Sequence, residues 1–149
     1  MAEESVEFTL SVERDKIQNF ALAVGEDNQI FLDPEEAHLA GYPELVAPPT
    51  FTATQIFELP RVEREQRLGA NLNYERVLHG EQEFVYKRLP VAGEKLKGIM
   101  RISKDFTKEG KRGGQMRFVT YESRFEDANG DEVLTAYYTL IETSKDAAS

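Results

Sequence analysis

From about Asn73 onward the apolar residues stop recurring at helical spacing and begin to alternate, and this change of period limits the fold more than any other feature. Leu96, Gly98, Met100 and Ile102 alternate with Lys95, Lys97, Arg101 and Ser103, which predicts a strand with one face on a core and one in water; Ile99 is the exception. Tyr74 to Arg88, Gln115 to Glu126 and Glu132 to Glu142 read as further long strands. Turns are predicted at Gly110 to Gly114 and at Asp127 to Gly130, where Asn129-Gly130 favours positive φ. Val6 to Val12 adds a short edge strand at the front, and the small polar tail from Ser144 to Ser149 is expected to fray. Five strands make one antiparallel sheet, and its apolar face needs a cover.

That cover has to come from between the first strand and Asn73. Ile17, Phe20, Ala21 and Val24 share one helical face, with Ser11 as a possible N-cap and Gly25 at the left-handed C-terminal position. Asp33-Pro34-Glu35-Glu36 combines a capping carboxylate, a proline at the first helical position and an acid three residues after the cap, so a short helix is predicted from about Pro34 to Ala40, stopped by Gly41. After Pro48 and Pro49, the spacing of Phe51, Ala53, Ile56 and Phe57 predicts a third helix near Thr50 to Leu59, nearly apolar and therefore buried. The charge run from Arg61 to Arg67 reads as a solvated connection, broken at Gly69-Ala70-Asn71.

With 149 residues, 40% of them hydrophobic, the chain has room for one full core and is expected to be a single domain. A formal net charge of −9 argues against a nucleic-acid partner, which needs a basic surface to replace phosphate counterions. Without cysteine there is no disulfide framework, thiol nucleophile or thiolate metal site. The first seven residues carry acids where a secretory signal carries basic and apolar ones, and no stretch approaches membrane-spanning length, so a cytoplasmic protein with no membrane partner is expected. No metal is expected, because His38 and His79 fall in no ligand spacing, and no cofactor, because no glycine-rich loop stands between a strand and a helix.

The stretch from Phe20 to Phe51, with Leu78-His79-Gly80-Glu81-Gln82-Glu83-Phe84, Val91-Ala92-Gly93-Glu94 and the closing hairpin, resembles the MaoC-like hydratase and dehydratase family. Within it the chain is most similar to FAS1-like dehydratase N-terminal domains, the group that includes the substrate-holding first subunit of the mycobacterial (R)-3-hydroxyacyl-ACP dehydratase. The resemblance covers about the whole chain. It implies an α+β hot-dog fold, a five-stranded antiparallel sheet wrapped around a central helix. It also implies an acyl-CoA or acyl-ACP substrate, and assembly as a homodimer or as a heterodimer with a second hot-dog subunit.

The family's hydratase motif runs approximately Gly-Asp-x-Asn-Pro-(Leu/Ile)-His, its aspartate and histidine serving as the acid and base that add water to an enoyl thioester or remove it. The matching segment is Gly25-Glu26-Asp27-Asn28-Gln29-Ile30-Phe31, so Phe31 stands for the histidine, Glu26 for the aspartate and Gln29 for the proline. Two readings stay open. In one, the chain holds the acyl group while another subunit supplies the acid and base. In the other, Asp27 or Glu26 works with a different group, for which His79, beside Gly80 at the start of a long strand, is the candidate, whereas His38 is a surface residue. Candidate substrate-binding residues are Asn28 and Phe31 of the motif, the aromatics Tyr42, Phe51 and Phe57, and Thr50, whose helix N-terminus offers backbone N–H groups to a thioester carbonyl. Aromatics at helical spacing also suit a core. The basic set Lys104, Lys108, Lys111, Arg112 and Arg117 reads as a solvated hairpin, with coenzyme A phosphates or a carrier protein as the alternative. Thioester hydrolysis and non-catalytic thioester binding are the rival functions for such a chain.

Overall fold

The computed structural model describes residues 1–112 and 114–144. Five strands, β1 (Val6–Ser11), β2 (Val77–Tyr86), β3 (Lys95–Glu109), β4 (Gln115–Glu126) and β5 (Glu132–Glu142), form one antiparallel sheet in the order β1-β3-β4-β5-β2. The last two strands have the bounds that their alternation predicts. The long strand predicted from Tyr74 begins instead as a 3₁₀ turn at Tyr74–Arg76, because the Asn73 side chain accepts from the Glu75 N–H and turns the backbone before pairing starts at Val77. Of the turn predicted at Gly110 to Gly114, Gly113 lies outside the described residues, as do residues 145–149 of the tail.

Three α-helices, α1 (Arg14–Ala23), α2 (Pro34–Leu39) and α3 (Arg61–Leu68), lie between β1 and β2 in the chain. Helix α2 forms as its capping residues dictate, with Asp33 accepting from the Glu35 N–H and Pro34 in the first turn. In α1 the buried positions are Ile17 and Ala21, whereas Val24 is exposed. Ser11 does not cap α1: it pairs with Lys95 as the last residue of β1, and Glu13 takes the N-cap position without a side-chain bond. The run Arg61–Arg67 is not a loose connection but α3, closed by Gly69 at φ 72, because Arg64 and Leu68, one turn apart, are both buried.

The segment after the two prolines is the central piece of the fold. Phe51–Phe57 is a 3₁₀ helix, here called the strap, and it lies against the sheet through Phe51, which shares a core with Leu10, Leu96, Phe125 and Leu134. Its tight winding fits the Ala53 N–H to Thr50 O and Glu58 N–H to Gln55 O bonds and the Thr54 hydroxyl donating to Phe51 O. The expectation of a nearly apolar, buried helix fails at Ile56 and Phe57, which are 57% and 77% exposed. With three residues per turn, only part of the strap can face the sheet. A second core, under α3, gathers Val6, Leu59, Leu68, Met100, Tyr121 and Leu140.

Candidate functional site

Three residues per turn give the strap three distinct faces. Phe51, Thr54 and Phe57 look toward α1 and, with Leu10, Lys16, Asn19, Phe20 and Glu58, line a cavity of about 410 Å³. Ala53, Ile56 and Leu59 look the other way and, with Gln55, Arg64, Gln82, Met100 and Tyr138, line a smaller chamber of about 180 Å³. Thr52 and Gln55 share the third face, and both are buried.

The larger cavity contains two of the predicted substrate-binding residues, Phe51 and Phe57. Phe51 is held edge-on against Phe20 with ring centroids 5.7 Å apart, which fixes the cavity floor, while Phe57 stands at its exposed rim. Lys16 and Glu58 supply opposite charges and Asn19 and Thr54 polar groups, beside the apolar walls of Leu10, Phe20, Phe51 and Phe57. Phe20, Leu10, Lys16, Asn19, Thr54 and Glu58 were not singled out from the sequence as site residues. Phe20 carries only a core signal there, on the apolar face of the first predicted helix.

The other predicted residues fall elsewhere. Asn28 accepts from the Ile30 N–H and shapes the 3₁₀ turn at Gln29–Phe31. That turn drives Phe31, 6% exposed, into a small apolar core with Ala21, Ala37 and Val46, against which Tyr42 packs. Asp27 is exposed, and Glu26 is half-buried with its N–H bonded to Ala21 O. His79 is an exposed residue of β2, paired with Leu140 next to a bulge, its ring 4.9 Å from that of Tyr138. Among the described residues no hydrogen bond or ion pair joins Glu26 or Asp27 to a histidine, and the other histidine, His38, is bonded through Nε2 to the Pro43 carbonyl at 2.8 Å. Thr50 is exposed, and the Phe51 N–H considered for a thioester carbonyl is taken by Pro48 O at 2.9 Å.

The smaller chamber abuts a polar cluster that the sequence hid inside a charge run. Arg64, 4% exposed, donates from Nη2 to the Tyr74 hydroxyl and from Nε to Glu65 Oε1, and lies 4.4 Å above the Tyr121 ring. Glu65 Oε1 also accepts from the hydroxyls of Tyr74 at 2.9 Å and Tyr121 at 2.5 Å. Burial works against the Arg64 charge, but the oxygens of Tyr74, Tyr121, Tyr138 and Glu65 outweigh it and raise its pKa. Burial, reinforced by the Glu65 carboxylate, pushes the Tyr121 hydroxyl far above the ordinary phenol range, and Tyr74 up to about 12. Of the predicted basic set, Arg117 is already committed to Asp105 through two bonds and to Ala70 O.

Known proteins resemble this chain in sequence or in fold. A UPF0336 protein of Clavibacter michiganensis subsp. michiganensis is 39% identical over 143 residues, covering 91% of this chain and 87% of its own. One of Leifsonia xyli subsp. xyli is 39% identical over 131 residues, covering 87% of this chain and 83% of its own. Among solved structures, the HadBC (3R-hydroxyacyl-ACP dehydratase) complex of Mycobacterium tuberculosis contains a chain that matches with a TM-score of 0.77 at 24% identity, over 95% of this chain and 98% of that one. A MaoC-like dehydratase matches with a TM-score of 0.81 at 25% identity, over 95% of this chain but only 42% of its own length. The sheet and its central strap are therefore the α+β hot-dog fold. The family model described as FAS1-like, dehydratase domain region matches residues 1–136, and the chain belongs to that family of MaoC-like hot-dog dehydratases.

Proposed function

We propose that this chain is the substrate-holding half of a hydratase or dehydratase, binding an acyl thioester of coenzyme A or acyl carrier protein while a second hot-dog subunit supplies the acid and base. The observation that carries the reading is Phe31: the position that would bear the motif histidine holds an apolar side chain packed in a core, and neither Asp27 nor Glu26 has a histidine beside it. Dehydration needs a base for the α-proton and an acid for the leaving hydroxyl within reach of one substrate. The cavity between α1 and the strap, apolar with charges at its edge, suits an acyl group and its thioester.

A partner subunit is supported by the uncovered apolar surface. β2 is an edge strand ten residues long, with Leu78 and Val85 exposed, and Ile56 and Phe57 of the strap are exposed as well. The HadBC structure is a complex of subunits, and the MaoC-like dehydratase chain is more than twice as long as the part that matches. Both support a site completed by a second hot-dog unit.

The test is hydration of a 2-enoyl-CoA by the purified chain, followed by loss of enoyl absorbance, beside calorimetric titration with the matching saturated acyl-CoA. Binding without turnover is the expected result. Turnover that disappears in Asp27→Asn or His79→Ala would instead make the chain a hydratase in its own right, and release of free thiol would make it a thioesterase.

A further inference from the structure

We propose that the chamber on the far side of the strap is a polar subsite that receives the uncharged, oxygen-bearing end of the acyl group, a hydroxyl, ketone or amide. This rests on the acyl-thioester reading and adds the class of acyl group. A simple alkyl chain asks for a wholly apolar end pocket, and this chamber sets the amide of Gln55 and the phenol of Tyr138 among its apolar walls. Gln55 is 7% exposed, lines the chamber, and its Oε1 has no hydrogen-bond partner. One 3₁₀ turn earlier on the same face, Thr52 is 2% exposed and its Oγ1 is likewise unpartnered. Thr52 lies outside the chamber lining; buried polar atoms are nearly always satisfied, so it is the unpartnered Gln55 amide on the chamber wall that points to a ligand.

The remaining walls agree. Arg64, the exposed Gln82 and the half-buried Tyr138 bring a guanidinium, an amide and a phenol to the same space. Gln82 and Tyr138 are cross-strand partners, so both project from one face of the sheet toward the strap. Ala53, Ile56, Leu59 and Met100 provide the apolar contacts. At about 180 Å³ the chamber holds about six water-sized volumes, enough for the end of a chain and not for a second large ligand.

Charge decides which polar end fits. Arg64 does not offer a free positive charge, because Glu65 lies against it and is itself saturated: its Oε1 accepts from Arg64, Tyr74 and Tyr121, and its Oε2 from the Leu72 N–H. A carboxylate brought into the chamber would meet only Arg64, already paired with Glu65, and no other cation among the lining residues. A neutral group that both donates and accepts meets Gln55 and Tyr138 without that penalty.

The experiment is calorimetric titration of the full chain with a graded series of saturated acyl-CoA esters, each matched by its terminal-hydroxy, terminal-amide and terminal-carboxylate counterparts, repeated on Gln55→Leu. At the chain length that reaches the chamber, the hydroxy or amide ester should bind about tenfold more tightly than the plain one, the carboxylate should gain nothing, and Gln55→Leu should reverse the preference toward the plain ester. Plain esters that bind as well as their hydroxy and amide counterparts at every length, in both proteins, would overturn the subsite and leave acyl-thioester binding standing. If no ester binds, the acyl-thioester reading falls and the subsite with it.

Discussion

Tyr121 and Glu65, 56 residues apart in the chain, meet in the second core, where the phenol hydroxyl donates to Glu65 Oε1 at 2.5 Å. This bond ties β4 to α3, and because Arg64 and Tyr74 bond to Glu65 and to each other, four side chains stand or fall together. Removing one partner leaves a buried charge uncompensated, whereas removing both removes the problem. Arg64→Ala should therefore destabilise the chain by about 3 to 5 kcal/mol. Arg64→Met combined with Glu65→Leu should cost clearly less than the sum of the two single changes, as urea denaturation of the three variants would show.

Alkaline stability follows from Tyr86, whose buried hydroxyl has no partner and whose pKa is pushed up to about 12 by burial. Unfolded, a tyrosine loses its proton at about pH 10. Between that value and the folded one the unfolded chain binds fewer protons than the native chain, so stability falls as pH rises through this window. Tyr74, also raised to about 12, contributes in the same direction. Melting temperature should drop between about pH 10 and 12. Tyr86→Phe should flatten the drop and, by removing an unsatisfied hydroxyl, should not lower stability at neutral pH.

The pairing of β1 and β3 depends on a missing side chain. Gly98 pairs with Phe8, and a Cβ there would lie inside van der Waals contact of the Phe8 ring, which is itself fixed edge-on against Phe125 at 5.8 Å. Gly98→Ala should cost about 1 to 3 kcal/mol by overpacking. A second substitution, Phe8→Leu, should recover part of that loss in the same denaturation assay.

The β2 edge gives a test of assembly that is separate from folding. Val85 is 45% exposed on that strand, so Val85→Lys should leave the unfolding midpoint nearly unchanged. If two copies of the chain pair through β2, sedimentation velocity should show a dimer for the unmodified chain and a monomer for the variant. A monomer in both cases would restrict the proposed partner to a different hot-dog subunit.

Sequence reading found the strands best where the pattern was local. β4 and β5 keep their predicted bounds because alternation and the Asn129-Gly130 turn act within a few residues. The same holds for α2, whose cap and proline are contiguous. The candidate site was legible in part: Phe51 and Phe57 line the larger cavity, but Leu10 and Lys16 reach it from β1 and α1, which local pattern cannot bring together with the strap. Asn28, Phe31 and Tyr42 gather instead at the small core around α2.

By itself, then, the sequence determined five strands, their order along the chain and the helical stretches at α1 and α2, because each is written in neighbouring residues. Only the tertiary structure decided that Arg61–Arg67 is a helix carrying a buried guanidinium, that the strap winds as 3₁₀, and that its third face buries Thr52 and Gln55 without partners. The physical reason is that burial of a charge or an amide is set by what β3, β4 and β5 place opposite it, and those strands arrive from Met100, Tyr121 and Tyr138, far along the chain.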